Sequence, residues 1–486
     1  MSIQIYNSLT QKKEEFVPLT PGVVKMYLCG PTVYGLLHIG NFRGPIFFNL
    51  VRSWLERSKY DVNFVYNYTD VDDRIIDKAI AEKTQASVIS ERYIEEFKKD
   101  FVALGLRAHD SNPKVTDSMP AIVEMIGALV KKGAAYVVEG EVLFSVRKFP
   151  EYGKLSHRNI DDLKEAAKSE MNQKKADPLD FALWKPAKPD EPKWPSPWGE
   201  GKPGWHIECS AMIQELLGDS IDIHGGGMDL LFPHHENEIA QSEACSGKAF
   251  VKYWMHNNMI NFGDRKMSKS LGNIKTTREF LKEYNAEILK FMMLSVHYRS
   301  VSDFSESGIG NAISGLARIY SAMALAHHLH SSSDIVPGNV LPDFDKAMTA
   351  EMEQIKKALD DDFNTPEVMA AIFKLVRSFN TIFRYGMKVT PEVRATCLSF
   401  EAWMRDKGEM LALFQEDAGH YLHILDDMLL QKKNLERSAV DKLVEERASA
   451  RRNKDFKKGD EVRAQLTALG IKVFDLGDTS KWEVEK

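Results

Sequence analysis

The sequence predicts an α/β protein: a parallel-sheet core split by an insertion, then an α-helical bundle and a small C-terminal module. Three observations carry this. Residues 23–76 run strand, Gly/Pro-punctuated turn, helix, strand; a Pro-, Trp- and Lys-rich stretch at 174–204 interrupts strand-like sequence; and beyond about Ser307 amphipathic helices replace strands. A chain of 486 residues exceeds what one core of ~250–300 residues sustains. The expected divisions are 1–115 for the first half of the core, 116–204 for the insertion, 205–306 for the second half, 307–430 for the bundle and 431–486 for the terminal module.

Element by element, the apolar run "VVKMYL" opens a strand, and residues 29–41 form the turn. Ile46, Phe47, Leu50, Val51 and Leu55 then recur at helical spacing before "VNFVYNYT" supplies the next strand. A βαβ unit of this kind makes parallel pairing, and such sheets bind ligands beyond the carboxyl ends of their strands, where the 29–41 turn lies. Glu91 to Lys132 is expected to be helical, "AAYVVEGEVLFSV" a hairpin, and 174–204 an irregular surface crossing or inserted module. Strand character resumes in "SIDIHGGGMDLLF", helix in "HHENEIAQSEAC", strand in "YWMHNNMI", then a charged loop "GDRKMSKSLGN". "AISGLARIYSAMALAHHL" and "PEVMAAIFKLVRSFNTIF" are bundle helices, and the tail has a basic helical stretch at 450–463 followed by a strand candidate.

With 43% hydrophobic and 28% charged residues, the composition is that of a folded globular chain, and disorder and fibrous structure are excluded. The formal charge of −6 argues against indiscriminate coating of nucleic acid, though not against a local basic face. The N-terminus lacks an apolar leader and no segment approaches the ~20 apolar residues of a membrane span, so a cytosolic protein with no membrane partner is expected. Four cysteines, Cys29, Cys209, Cys245 and Cys397, allow neither a disulfide framework nor a compact zinc knuckle.

Two short motifs have chemistry to offer. "HIGN", residues 38–41, opens the first crossover helix, where unpaired backbone N–H groups favour anions and Gly40 admits a ligand close to the backbone; His38 and Asn41 could donate to phosphate oxygens. Alone it reads more simply as a turn histidine and a capping asparagine. "KMSKS", residues 266–270, places Lys266 and Lys269 on a loop able to neutralise charge developing on a leaving group, though most such runs are solvated loops. Their order on a βαβ core favours the functional reading of both.

These motifs resemble the signatures of class I aminoacyl-tRNA synthetases. "YLCGPTVYGLLHIGN", "NYTDVDDRII", "WPSPWGEGKPGWHIECSAM", "IDIHGGGMDLLFPHHENEIAQSEA" and "KMSKSLGN" together resemble the cysteinyl-tRNA synthetase family, across nearly the whole chain. The resemblance implies a Rossmann-type catalytic core and formation of a cysteinyl-adenylate from L-cysteine and ATP, with Mg²⁺ accompanying the nucleotide, then transfer to the tRNA for cysteine by a monomer. Rivals are a paralogous ligase joining cysteine to an amino sugar and a non-enzymatic tRNA-binding relative. The long C-terminal portion speaks against the first, and the intact motifs against the second.

The resemblance further implies one Zn²⁺ per chain on Cys29, Cys209, His234 and Glu238, which no spacing rule would have joined. Their donors are all zinc ligands, and His234 and Glu238, four apart in "FPHHENE", share a helical face. Zinc would select cysteine over serine as a thiolate ligand, where shape alone gives only about 10²-fold. His38, Gly40, Asn41, Lys266 and Lys269 would serve the phosphates, Gly227 and Asp229 the ribose, and Thr32, Tyr34, Trp205 and His206 the cysteine. Asn41 stands where the family more commonly has histidine. His224 and His235 are either supports of this site or ordinary hydrogen-bonded neighbours, and Cys245 and Cys397 read as packed thiols.

Overall fold

Val23–Leu28 (β1) buries Val24 and Met26 on one face and also Tyr27 on the other, as a strand inside a parallel sheet covered on both faces must. That helix, Arg43–Arg57 (α1), buries Ile46, Phe47, Leu50, Val51 and Leu55, the set its periodicity predicts. It leads to Asp61–Tyr66 (β2). After the insertion come Trp205–Leu217 (α2), Ile221–Gly227 (β3), Glu236–Ser246 (α3) and Val251–Asn257 (β4). The strands form one parallel sheet in the order β4-β3-β1-β2, with Met26 opposite Ile223 and Val23 opposite Asp61. Gly225 lets helix and sheet close up, because a Cβ there would lie 2.2 Å from the Phe48 ring.

This computed structural model describes residues 2–159, 174–262, 265–266, 275–331, 334–476 and 479–486. It divides into two units: Met1–Arg278 with Val296–Ser302 and Leu359–Asn364, and Glu279–Ser295 with Asp303–Ala358 and Thr365–Lys486. No helix of the described residues is long and apolar enough to cross a membrane.

Two expectations about the first unit need correction. The stretch from Glu91 to Lys132 is two helices, Ala86–Ala103 and Met119–Lys131, because Gly105 at φ +64° and the loop after it end the first. Residues 174–204 are only partly irregular: Phe181–Pro186 and Gly201–Pro203 complete a four-stranded antiparallel sheet with the hairpin Ala135–Val138 and Glu141–Phe144. Prolines at the strand ends hide them from a periodicity reading.

His109 lies in the loop between those helices, stacked on Tyr66 (4.7 Å, 23°) and edge-on to Phe64. Burial first, and then the charge of Arg52, pull its imidazole down to about 4. The unfolded chain, with an ordinary histidine near ~6.5, therefore binds the proton first as pH falls. This contribution, up to ~3 kcal/mol, is complete above pH ~6.5 and is lost towards pH 4. A His109→Phe variant keeps ring contacts without the proton, so its unfolding midpoint should fall less between pH 7 and pH 4.5 than the parent's. Equal losses would exclude His109 as a source of acid lability.

The second unit is helical, including Glu306–Ser331 (α4), Thr365–Ile382 (α5), Pro391–Leu411 (α6) and Ala418–Lys432 (α7). Stacked pairs Tyr320–Tyr421 (3.8 Å) and Phe379–Phe400 (4.2 Å) tie α4 to α7 and α5 to α6. The last residues have a core of their own, from Leu430 and Val440 to Ile471 and Val484, under an antiparallel hairpin, Ile471–Leu476 with Thr479–Val484, where the sequence suggested one strand. The basic stretch at 450–463 straddles two helices, Arg437–Arg452 and Phe456–Ala468. Part of its charge is spent internally: Arg451 pairs with Asp475, Arg452 with Glu445 and Lys458 with Glu446.

Candidate active site and metal centre

β1 and β3 are neighbours at the centre of the sheet, and the chain leaves them for β2 and β4 on opposite sides, so their carboxyl ends flank a crevice. A cavity of about 490 Å³ opens there. Its wall includes Cys29, Thr32, Tyr34, His38, Gly40, Asn41, Trp205, Gly227 and Asp229, all singled out in the sequence.

At Cys29, the wall residue just after β1, four donors converge, the other three buried behind it. Cys29 follows β1, Cys209 sits in the second turn of α2, and His234 and Glu238 flank the start of α3. Cys29 Sγ lies 3.7 Å from Cys209 Sγ and 3.5 Å from Glu238 Oε1, while His234 Nε2 is 3.0 Å from the same carboxylate oxygen. Zinc bonds of ~2.3 Å to sulfur and ~2.0 Å to nitrogen or oxygen put tetrahedral donors ~3.3–3.8 Å apart, so these residues have nearly the required edges already. The charge agrees. Burial and the Cys209 hydrogen bond push the Cys29 thiol up, while the Cys29 hydrogen bond pulls Cys209 down, so the pair keeps one shared proton where a cation would take its place.

A second grouping, Cys29, His224, His235 and Glu238, is also compact. It fits a metal less well because it offers one sulfur instead of two and His224 Nε2 is taken by Glu238, although the buried Nε2 of His235 has no hydrogen-bond partner among the described residues. His224 Nε2 bonds Glu238 Oε2 at 2.8 Å and its ring stacks on Trp254 at 4.4 Å, which leaves Oε1 facing Cys29 and His234. His235 Nδ1 bonds His256 Nε2 at 2.8 Å, and His256 Nδ1 in turn bonds Ser8 Oγ at 2.8 Å. Burial works against the Glu238 carboxylate, yet the charges of His224 and His234 hold it well below the usual range. The open question about His224 thus resolves to orientation of Glu238.

His206, expected against the substrate, is not among the residues of the cavity wall. It sits behind His234, with 3.0 Å between their Nδ1 atoms, and burial takes it down to about 3, so it stays neutral. Trp205 stacks on His234 from the cavity side at 4.3 Å and 22°.

Residues 15–314 match the family model for the tRNA synthetases class I (C) catalytic domain, and 354–415 the DALR domain. Over the full length of both chains, the sequence is 56% identical to a cysteine–tRNA ligase of Bdellovibrio bacteriovorus and 44% identical to one of Geobacter sulfurreducens. The chain belongs to the cysteine–tRNA ligases. Its fold is also that of a Mycobacterium tuberculosis methionyl-tRNA synthetase in complex with methionyl-adenylate, at TM-score 0.62 and 14% identity, covering 82% of this chain and 92% of that one.

In this chain "HIGN" begins as a short 3₁₀ turn, Ile39–Phe42, that runs into α1. Asn41 Oδ1 accepts the backbone N–H of His38 at 3.0 Å, so Asn41 caps the turn and lines the cavity at once. Arg74, which the sequence reading passed over, reaches the cavity too: it donates to Thr32 Oγ1 at 3.0 Å, lies 4.9 Å above the Tyr34 ring and is steadied by Asp72. Its signal is "DVDDR", four residues beyond the carboxyl end of the parallel strand β2. Lys266 is described only as backbone, in the short strand Arg265–Lys266, and Lys269 lies outside the described residues.

Proposed function

We propose that the chain joins L-cysteine to its tRNA in two steps. A cysteine carboxylate oxygen attacks the α-phosphorus of ATP and pyrophosphate leaves; a 3′-terminal hydroxyl of the tRNA then attacks the carbonyl carbon and AMP leaves. The observation that carries the substrate is the convergence of Cys29, half-buried in the cavity wall, with the buried Cys209, His234 and Glu238 behind it, at spacings suited to zinc. Bound there, zinc would supply a Lewis acid that takes a thiol as its thiolate and leaves a serine hydroxyl unmatched.

The chain's own groups do the rest. Thr32, Tyr34 and Trp205 enclose the amino acid, Arg74 fixes Thr32 and Tyr34, and His206 holds His234. His38, Gly40 and Asn41 set the backbone amides of the α1 entrance against the phosphates, and Gly227 and Asp229 offer the ribose contacts. Lys266 and Lys269 balance charge on departing pyrophosphate, and Mg²⁺ enters with ATP, held largely by phosphates and water. The helical unit and its terminal module contact the tRNA.

Two assays test the two halves of this reading. Lys269→Ala should lower cysteine-dependent ATP–pyrophosphate exchange by at least ~10²-fold, the scale of losing a transition-state charge contact. The parent enzyme should charge tRNA but not an amino-sugar acceptor. A near-parental exchange rate would remove the "KMSKS" loop from the chemistry, and cysteine transfer to the amino sugar would reassign the acceptor.

A further inference from the structure

We propose that the helical unit has a cation site of its own, for a divalent transition metal of the zinc class, formed by His327, His330 and Glu401. His327 and His330 stand one turn apart on α4, and Glu401 faces them from α6. His330 Nε2 is 2.5 Å from Glu401 Oε2, and His327 Nδ1 is 3.6 Å from Oε1. One donor atom from each lies within 4.8 Å of the others. The site sits in the second unit, apart from the catalytic cluster in the first.

An ion there would replace the proton between His330 and Glu401 and open their 2.5 Å contact to the ~3.3 Å of tetrahedral donors, and the surroundings leave room for it. The His330 and Glu401 side chains are only 14% and 13% exposed, so two donors are held in place, while His327 at 53% leaves one side open. Arg394 Nε donates to the His330 carbonyl at 3.0 Å and fixes the end of α4. A cavity of about 710 Å³ borders both His327 and Glu401, giving water room to complete the coordination. The competing cation is Arg405, 2.7 Å from Glu401 Oε1; its side chain is 70% exposed and can swing into solvent.

Two imidazoles and a carboxylate suit zinc, cobalt or nickel better than calcium or magnesium, which take oxygen donors. The absence of sulfur separates this site spectroscopically from the catalytic one. Binding only to the folded state, the ion braces α4 against α6 and stabilises the unit by mass action.

The test is a Co²⁺ titration of the full-length, chelator-stripped protein, with bound metal counted and spectra recorded. Two equivalents per chain are expected, the one at the cysteines with a sulfur-to-cobalt charge-transfer band and the other without it. His327→Ala/His330→Ala should retain only the sulfur-ligated ion, and Cys209→Ser only the sulfur-free one, whose binding should still raise the thermal unfolding midpoint. Should the double variant not fold, the exposed His327→Ala alone should weaken the sulfur-free equivalent by at least ~10-fold. Uptake of one equivalent by the parent, or an unchanged second equivalent in the histidine variants, overturns the site.

Discussion

Replacing Cys209 by serine should strip the catalytic unit of its metal and lower cysteine-dependent pyrophosphate exchange by about 10³-fold or more, with the fold retained. The substitution changes little in volume and much in chemistry. Cys209 is buried in α2 with its sulfur 3.7 Å from that of Cys29, and the hydrogen bond from Cys29 pulls its thiol pKa down although burial opposes this. A serine hydroxyl in that place stays protonated and is a poor soft donor, so the cluster loses one negative charge and half its sulfur. Three remaining donors cannot close a four-coordinate zinc site, and the affinity of such sites rests on the complete set. The loss of exchange follows from the substrate: without the cation nothing ionises and holds the thiol, and shape alone would separate it from a hydroxyl by only about 10². Bound metal by mass spectrometry, exchange rate and far-UV circular dichroism together decide the matter. A serine variant that holds its metal and exchanges at the parental rate would exclude Cys209 from the site.

What the sequence revealed here and what it concealed follow from the range of the forces involved. α1 was legible because its apolar residues recur every three or four positions, and the same residues are buried in the fold. So was the parallel order, since β1, α1 and β2 are consecutive. The union of Cys29 with Cys209 was not, for it depends on a helix that begins after the insertion packing beside the end of β1, across 180 positions of chain. Family resemblance supplied that link, and the distances between donors now support it independently. His224 was ambiguous for another reason: its task is set by which carboxylate oxygen of Glu238 it reaches, a matter of ångströms that no residue pattern encodes. His206 shows the reverse case: the resemblance implies a contact with cysteine, and the residue stands beside His234, one layer behind the cavity wall.

Gly30→Ala should be the most damaging single-carbon addition in this crevice, costing ~3–5 kcal/mol of stability and the metal with it. Gly30 follows Cys29 directly and is pressed against the extension of β2: its N–H donates to Asn67 Oδ1 at 2.7 Å, and a Cβ would stand 1.6 Å from the Asn67 carbonyl oxygen and 2.6 Å from its carbonyl carbon. Those are backbone atoms, so no rotamer change relieves the clash and one segment must move. The neighbouring bonds, Thr69 N–H to the Pro31 carbonyl and Val33 N–H to the Thr69 carbonyl, both at 3.1 Å, would be strained together. Any outward shift of the 29–33 turn carries Cys29 away from Cys209 and Glu238 and Thr32 away from Arg74, coupling a steric insult to loss of both metal and substrate contacts. Gly35, five residues on in the same turn, is the control: a Cβ there meets nothing within 4 Å. Unfolding midpoints and metal content of the two alanine variants therefore make a matched comparison, in which Gly35→Ala stays close to the parent and Gly30→Ala falls far below it. Equal behaviour of the two would mean that the turn yields freely at Asn67, and that the rigid approach of backbone to backbone is not what holds Cys29 in place.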